Sequence, residues 1–259
     1  MGRMVLVMAT TLMAASAASA QQMTTGFLDR RTTVDGLDYP YQVYVPRDYD
    51  PAREWPVILF LHGAGERGSD GIRQTLIGLP DAIRRAPDRF PAIVVMPQAP
   101  VDSSWQGNAA RAAMQALDEA TVTYSIDPAR VYLTGLSMGG NGAWYLASQN
   151  SDRFAALAVV CGFVTPFRGW PDFVTEGDGT RFDRVAARIS RLPVWIVHGD
   201  ADPVVPVSES REMRDALEAA GADVTYRELP DVGHDSWVDG YRDPDFAAWL
   251  FTQRKQPGR

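Results

Sequence analysis

Gly135-Leu136-Ser137-Met138-Gly139 spells G-x-S-x-G, the pattern of a nucleophilic serine held on a tight strand-to-helix turn. The motif directly follows the apolar run 131–133 and precedes a helical stretch, 141–148, so its surroundings fit that geometry. Glycines flank the serine because a Cβ at either place would meet neighbouring backbone. A serine hydroxyl is a weak nucleophile until an imidazole takes its proton, and the imidazole in turn needs a carboxylate to orient it. The chemistry suggested is therefore acyl transfer to water, which calls for no metal or organic cofactor.

The chain has three histidines, His62, His198 and His234. His62 opens His62-Gly63-Ala64-Gly65 immediately after an apolar run, 57–61, in a turn whose backbone N–H groups could hold an oxyanion. Its ring is expected to be structural. His198 ends another apolar run, in His198-Gly199-Asp200-Ala201-Asp202-Pro203, where the useful group is an acid of the following loop. Asp200 and Asp202 both fit by position. His234, in Gly233-His234-Asp235-Ser236-Trp237, falls between the last expected strand and the last expected helix. Asp235 adjoins that histidine and is poorly placed to face its neighbour's ring nitrogen. The base is thus His234, and the chain order is serine, acid, histidine.

These residues need a scaffold that gathers strand ends. Short apolar runs at 56–61, 92–96, 130–134, 155–160 and 193–197 read as strands buried on both faces, with a last strand at 224–229. Between them, 108–122 and 209–220 carry apolar residues at helical spacing, and helices are also expected at 181–189 and 246–253. Asp35-Gly36 sits between strand-like runs 27–34 and 37–45, which predicts an edge hairpin. The alternation predicts one doubly wound α/β domain, 21–259, with a mostly parallel sheet.

The first twenty residues stand apart. Arg3, an apolar stretch from Met4 to Ala15 and Ala18-Ser19-Ala20 predict a secretory signal peptide over 1–20, too short to span a bilayer. No cysteine lies near that cleavage point, so no lipid anchor is expected there, and the protein is expected to be exported to periplasm or medium. A net charge of −7 makes nucleic acid and anionic membranes poor partners. The one cysteine, Cys161, leaves no internal disulfide and no cysteine-based metal cluster, and is expected to be a small buried residue.

Four segments together resemble the α/β-hydrolase superfamily: FLHGAGERGSD (60–70), DPARVYLTGLSMGGNGAW (127–144), HGDADPVVP (198–206) and GHDSW (233–237). More narrowly they are similar to exported carboxylesterases related to dienelactone hydrolases, feruloyl and acetyl xylan esterases, and predicted peptidases. The resemblance runs from about Tyr41 to the C-terminal helix. It implies an α/β-hydrolase fold with helices on both faces of the sheet, an antiparallel N-terminal hairpin and a minimal lid. It also implies Asp202 as the acid, completing Ser137, Asp202 and His234, and oxyanion N–H groups from Ala64 and Met138. Dienelactone hydrolases proper use cysteine where this chain has Ser137, which argues against dienelactone chemistry.

The segment from Cys161 to Leu192, once its helix is set aside, is too short for a large helical cap, but carries Phe163, Phe167, Trp170 and Phe173. These aromatics either wall an acyl or aryl pocket or pack the loop onto the helix. Phe163 and Trp237 are pocket candidates by sequence position, and Trp105 by family likeness. Glu66 and Arg67 are expected to pair with each other, the other reading being that Arg67 binds a substrate carboxylate. The leading expectation is a serine carboxylesterase acting on short or aromatic esters, as small molecules or on acylated polysaccharide. A serine peptidase of the prolyl-oligopeptidase kind shares the triad, and a catalytically silent, hydrolase-shaped binding protein is the remaining alternative.

Overall fold

The computed structural model describes residues 24–166, 169–174 and 176–255. The signal peptide expected over 1–20 and the aromatic Phe167 lie outside the described residues.

Among the described residues eight strands form one sheet: β1 (Gly26–Val34), β2 (Leu37–Val45), β3 (Trp55–Leu61), β4 (Ile93–Pro97), β5 (Ile126–Leu136), β6 (Ala156–Val160), β7 (Val194–Gly199) and β8 (Val224–Leu229). Their spatial order is β1-β2-β4-β3-β5-β6-β7-β8. The β1–β2 hairpin and the β2–β4 contact are antiparallel, and every later pairing is parallel. Among the described residues seven α-helices accompany it: α1 (Leu79–Arg85), α2 (Gly107–Thr123), α3 (Met138–Gln149), α4 (Arg181–Ile189), α5 (Ser208–Ala219), α6 (Trp237–Arg242) and α7 (Pro244–Thr252). Among the described residues no helix is long and apolar enough to cross a membrane.

The apolar runs became strands because helices cover both sides of the sheet. All residues of β3, β4, β6 and β7 are buried. Alternate side chains of β3 go to opposite faces, as the two-residue repeat of a strand requires. Val57, Leu59 and Leu61 join the core shared with α2, α3, α4 and α5. Ile58 and Phe60 join the second core, with α1, α6 and α7. Each such fully buried side chain contributes about 1.5–3 kcal/mol.

The expected hairpin, central strands and long helices are present, with ends shifted by a few residues. The strand expected at 130–134 is longer, starting at Ile126, where it pairs with Trp55. Two short helices, α1 and α6, have no periodic stretch long enough to announce them, and packing on the second core accounts for both.

Candidate active site

The turn at Ser137 is built by close backbone approach. Ser137 has φ +53°, a left-handed conformation that a residue with a side chain rarely adopts. A Cβ on Gly135 would lie 2.1 Å from the Gly139 carbonyl oxygen, and one on Gly139 would lie 1.9 Å from that of Leu61. The glycines flanking the serine are therefore required by sterics, as the motif predicts. Asn141 N–H donates to the Ser137 carbonyl at 3.0 Å, starting α3, whose first N–H groups have no acceptor within the helix. Met138 is the first residue of that helix.

Three loops at the carboxyl edge of the sheet bring the distant polar groups together. Ser137 follows β5, Asp202 follows β7, and His234 follows β8. Ser137 Oγ lies 2.9 Å from His234 Nε2, and His234 Nδ1 lies 2.7 Å from Asp202 Oδ2. The Asp202 carboxylate is inaccessible to solvent, whereas the His234 ring is 19% exposed. Burial opposes ionisation of Asp202, but bonds from His198 and His234, with the N–H groups of Val205 and Val204, outweigh it. They hold the carboxyl well below the usual carboxylate range. An imidazole that touches a hydroxyl can accept the hydroxyl's proton, and an ionised acid behind the ring stabilises the resulting cation.

Asp200, the other acid that fits by position, is used elsewhere. Its Oδ1 accepts the Asp231 N–H at 2.8 Å, and Ala201 N–H donates to the Val232 carbonyl at 3.1 Å. These bonds join the β7 loop to the loop carrying His234. A Cβ on Gly199 would lie 2.2 Å from the Val232 carbonyl oxygen, so glycine permits that approach. Cys161 is fully buried beneath the site, and burial pushes its thiol far up. Its sulfur shares a 4.8 Å neighbourhood with ligand atoms of Asp202 and His234. The last two already bond each other, and a protonated thiol is a poor metal ligand.

The His62-Gly63-Ala64-Gly65 turn follows β3 beside the serine. A Cβ on Gly63 would be 3.7 Å from that of Ser137. The His62 ring is fully buried and structural, as expected: Ala99 N–H donates to Nε2 at 3.0 Å, so the proton sits on Nδ1 and is donated to the Gly63 carbonyl at 2.6 Å. Burial lowers its pKa to about 4, which keeps the ring neutral at pH 7. Gly63's carbonyl belongs to the same peptide unit as the Ala64 N–H, so the ring also fixes that N–H. Ala64 and Met138 each begin a helical turn, which leaves both N–H groups without an acceptor inside their own turn.

The pocket candidates differ in exposure. Trp105 is 1% exposed and does not wall an open pocket; its indole N–H donates to the His62 carbonyl at 2.9 Å, and its side chain fills the space beside Gly142. Phe163 is 4% exposed, packs edge-on against Trp170, and its carbonyl accepts from Asn141 Nδ2. Phe173 packs against Tyr145. The described aromatics of this segment mainly hold the loop in place. Trp237 stays half-exposed, with its ring edge-on to His234 at 5.4 Å. Arg67 does not pair with Glu66: it donates to the carbonyls of Ala64 and Ser103, at 3.0 and 3.3 Å. Glu66 lies under the same turn, where burial raises its carboxyl pKa.

The model of the prolyl oligopeptidase family matches residues 99–254, a stretch that contains Ser137, Asp202 and His234. The chain belongs to the prolyl oligopeptidase family. It is 28% identical over 218 residues to an uncharacterized secreted protein of Arthroderma benhamiae, covering 76% of this chain and 23% of that one. It is 27% identical over 180 residues to a probable feruloyl esterase C of Aspergillus terreus, covering 67% of this chain and 58% of the relative. This family member therefore spans less than two thirds of the length of either curated relative. Among solved structures, a thermostable esterase superposes with a TM-score of 0.76 at 31% identity, covering 88% of this chain and 63% of that one. The fold is that of the α/β-hydrolases, and the similar proteins include esterases.

Sequence reasoning passed over His198, Ser210 and Glu209. His198 lies four residues before Asp202, and its Nε2 is 3.1 Å from that carboxylate. The motif carried this signal, since a histidine closing a strand just before the acid faces the same edge. Glu209 accepts the N–H groups of Val164 and Thr165, at 2.8 and 3.1 Å, and ties the loop after β6 to α5.

Proposed function

We propose that the protein is an exported serine esterase that hydrolyses carboxylic esters through an acyl-enzyme. The observation that carries this reading is the unbroken chain from Ser137 Oγ to His234 Nε2 at 2.9 Å and from His234 Nδ1 to Asp202 at 2.7 Å. His234 takes the Ser137 proton as Oγ attacks the ester carbonyl, and Asp202 stabilises the imidazolium that forms. The tetrahedral oxyanion accepts from the N–H groups of Ala64 and Met138, each such donor contributing about 3–4 kcal/mol. His234 then returns its proton to the leaving alcohol. Water, deprotonated by the same ring, releases the acid from Ser137.

Short or aromatic esters, such as acetyl or feruloyl groups on small molecules or polysaccharide, are the proposed substrates. The similarity to a feruloyl esterase supports this choice. So does the pinned segment beside the site, where Gln106 Nε2 donates to the Pro171 carbonyl at 2.8 Å and Arg181 pairs with Asp172. A segment fastened this way is unlike the long mobile apolar lid of a lipase. Export is supported by the N-terminal sequence and by the likeness to a secreted protein. A peptidase is the second reading, favoured by the family's own description.

Hydrolysis of p-nitrophenyl acetate by wild type but not by Ser137→Ala tests the esterase. Methyl ferulate, p-nitrophenyl palmitate and a proline-containing peptide amide, run side by side, rank the substrate classes. Faster turnover of the peptide amide than of every ester would replace this reading with the second one.

A further inference from the structure

Asp202 faces two imidazoles. Oδ2 lies 2.7 Å from His234 Nδ1 and 3.1 Å from His198 Nε2, while Oδ1 accepts the N–H groups of Val204 and Val205 at 2.8 and 3.0 Å. His198 is fully buried, and its Nε2 is also 3.1 Å from the Val205 carbonyl oxygen. Both of these neighbours only accept, so Nε2 carries a proton and shares it between them. At the other edge of the ring, Nδ1 lies 2.7 Å from Ser210 Oγ, in the first turn of α5, and Ser210 is 2% exposed. Five side chains therefore form one line: Ser137, His234, Asp202, His198, Ser210.

A carboxylate oxygen that accepts a second charge-assisted bond has less negative charge to offer the first. We propose that His198, held in orientation by Ser210, is a positioning residue that sets how strongly Asp202 supports His234, and thereby the pH at which hydrolysis switches on. The inference deepens the esterase reading and rests on it. The titratable groups around this carboxylate are His198 from β7, His234 from the loop after β8, and Cys161 from the end of β6, with Asp235 close to Cys161. Burial holds the Cys161 thiol neutral, so across the acid limb of the rate profile the two imidazoles are the groups that decide the carboxylate's surroundings. Val204 and Val205 N–H fix the carboxylate from the other side whatever the pH. Removing the His198 donor therefore leaves Asp202 in place and concentrates its charge on His234.

The test compares kcat/KM against pH for wild type, His198→Met, His198→Gln and Ser210→Ala with p-nitrophenyl acetate. The Met side chain fills the ring's space without a donor, whereas the Gln amide can present an N–H near the position of Nε2. The acid limb moves to higher pH by about one unit in His198→Met, by a smaller step in Ser210→Ala, and returns to near wild type in His198→Gln. A role limited to packing would lower activity without moving the limb. An unmoved limb in folded His198→Met overturns the inference. Where that variant does not fold, by circular dichroism and gel filtration, an unmoved limb in Ser210→Ala overturns it instead. A wild-type protein inactive on every ester is a failure of the esterase reading alone. In that case the downfield proton resonance of His234 Nδ1–H decides: it moves further downfield in His198→Met or, where that variant does not fold, in Ser210→Ala, and an unchanged position overturns the inference.

Discussion

Ala99 donates its backbone N–H to Nε2 of His62 across 3.0 Å, and this bond fixes where the ring's only proton is. With Nε2 occupied as an acceptor, Nδ1 must donate, and it does so to the Gly63 carbonyl at 2.6 Å. Protonating the ring would set two N–H groups against each other at Nε2. The turn proposed to hold the oxyanion is thus built on a histidine that has to remain neutral.

Stability should accordingly fall as the solution is made acidic. His62 in the unfolded chain takes a proton near pH 6.5, but in the folded protein only near 4. Between those values the unfolded state binds more protons, so acid favours unfolding. The contribution is fully present above pH 6.5, is lost progressively towards pH 4, and amounts to about 3 kcal/mol. Urea unfolding at pH 7.5 and 4.5 measures it. His62→Gln should be less stable at pH 7.5 but should lose much less between the two pH values. Parallel losses in the two proteins would remove His62 from the explanation.

The two acids of the β7 loop should behave differently. Asp202→Asn keeps the shape, but its amide N–H can donate to His234 Nδ1 and hold the ring in the wrong tautomer, and kcat should fall about ten-thousand-fold. Asp200→Asn keeps an oxygen that can accept the Asp231 N–H, so kcat should stay within about threefold. Steady-state kinetics on p-nitrophenyl acetate separates the two. A collapse of activity in Asp200→Asn with Asp202→Asn intact would move the acid role to the other carboxylate.

The reasons these features were or were not legible in the chain are physical. The strands were legible because burial on both faces demands continuous apolar runs, as in β3 and β4. Ser137 and its glycines were legible because the tight turn leaves little choice of residue. Choosing Asp202 over Asp200 was not possible from spacing, since it depends on which carboxylate the His234 loop meets. Trp105 is a pocket candidate by family likeness alone; its burial depends on Gly142, which lies on another element. The second imidazole on Asp202 escaped notice because the sequence shows that His198 is close to the acid but not that its ring turns towards it.

The Ser137 backbone stores strain that can be read out thermally. At φ +53° a side chain is strained, and glycine is not. Ser137→Ala and Ser137→Gly both remove the hydroxyl and its bond to His234, so they differ only in the Cβ. Ser137→Gly should be the more stable by about 1 kcal/mol, or roughly 2–4 °C in Tm. Both should lower ester hydrolysis by about a million-fold. Equal Tm values for the pair would mean the turn carries no such strain.

The glycines of the two turns beside the serine make opposite predictions, although each belongs to a recognisable motif. A Cβ on Gly139 would sit 1.9 Å from the Leu61 carbonyl oxygen and 2.7 Å from that of His62. Both obstacles are backbone in the middle of the molecule, so neither can swing away as a side-chain tip can. Gly139→Ala should therefore lose at least about 3 kcal/mol, separate β3 from α3, and reach the soluble fraction poorly. A Cβ on Gly65 meets nothing within 4 Å, and that residue is exposed with no positive φ. Gly65→Ala should fold with a Tm within about 2 °C of wild type. Any loss of activity in Gly65→Ala then reports on room for substrate over the His62–Gly65 turn, because the scaffold is unchanged. Thermal melts of both variants, followed by ester kinetics on whichever folds, check the pair. A well-folded Gly139→Ala would show that α3 can slide away from β3, contrary to the packing described above.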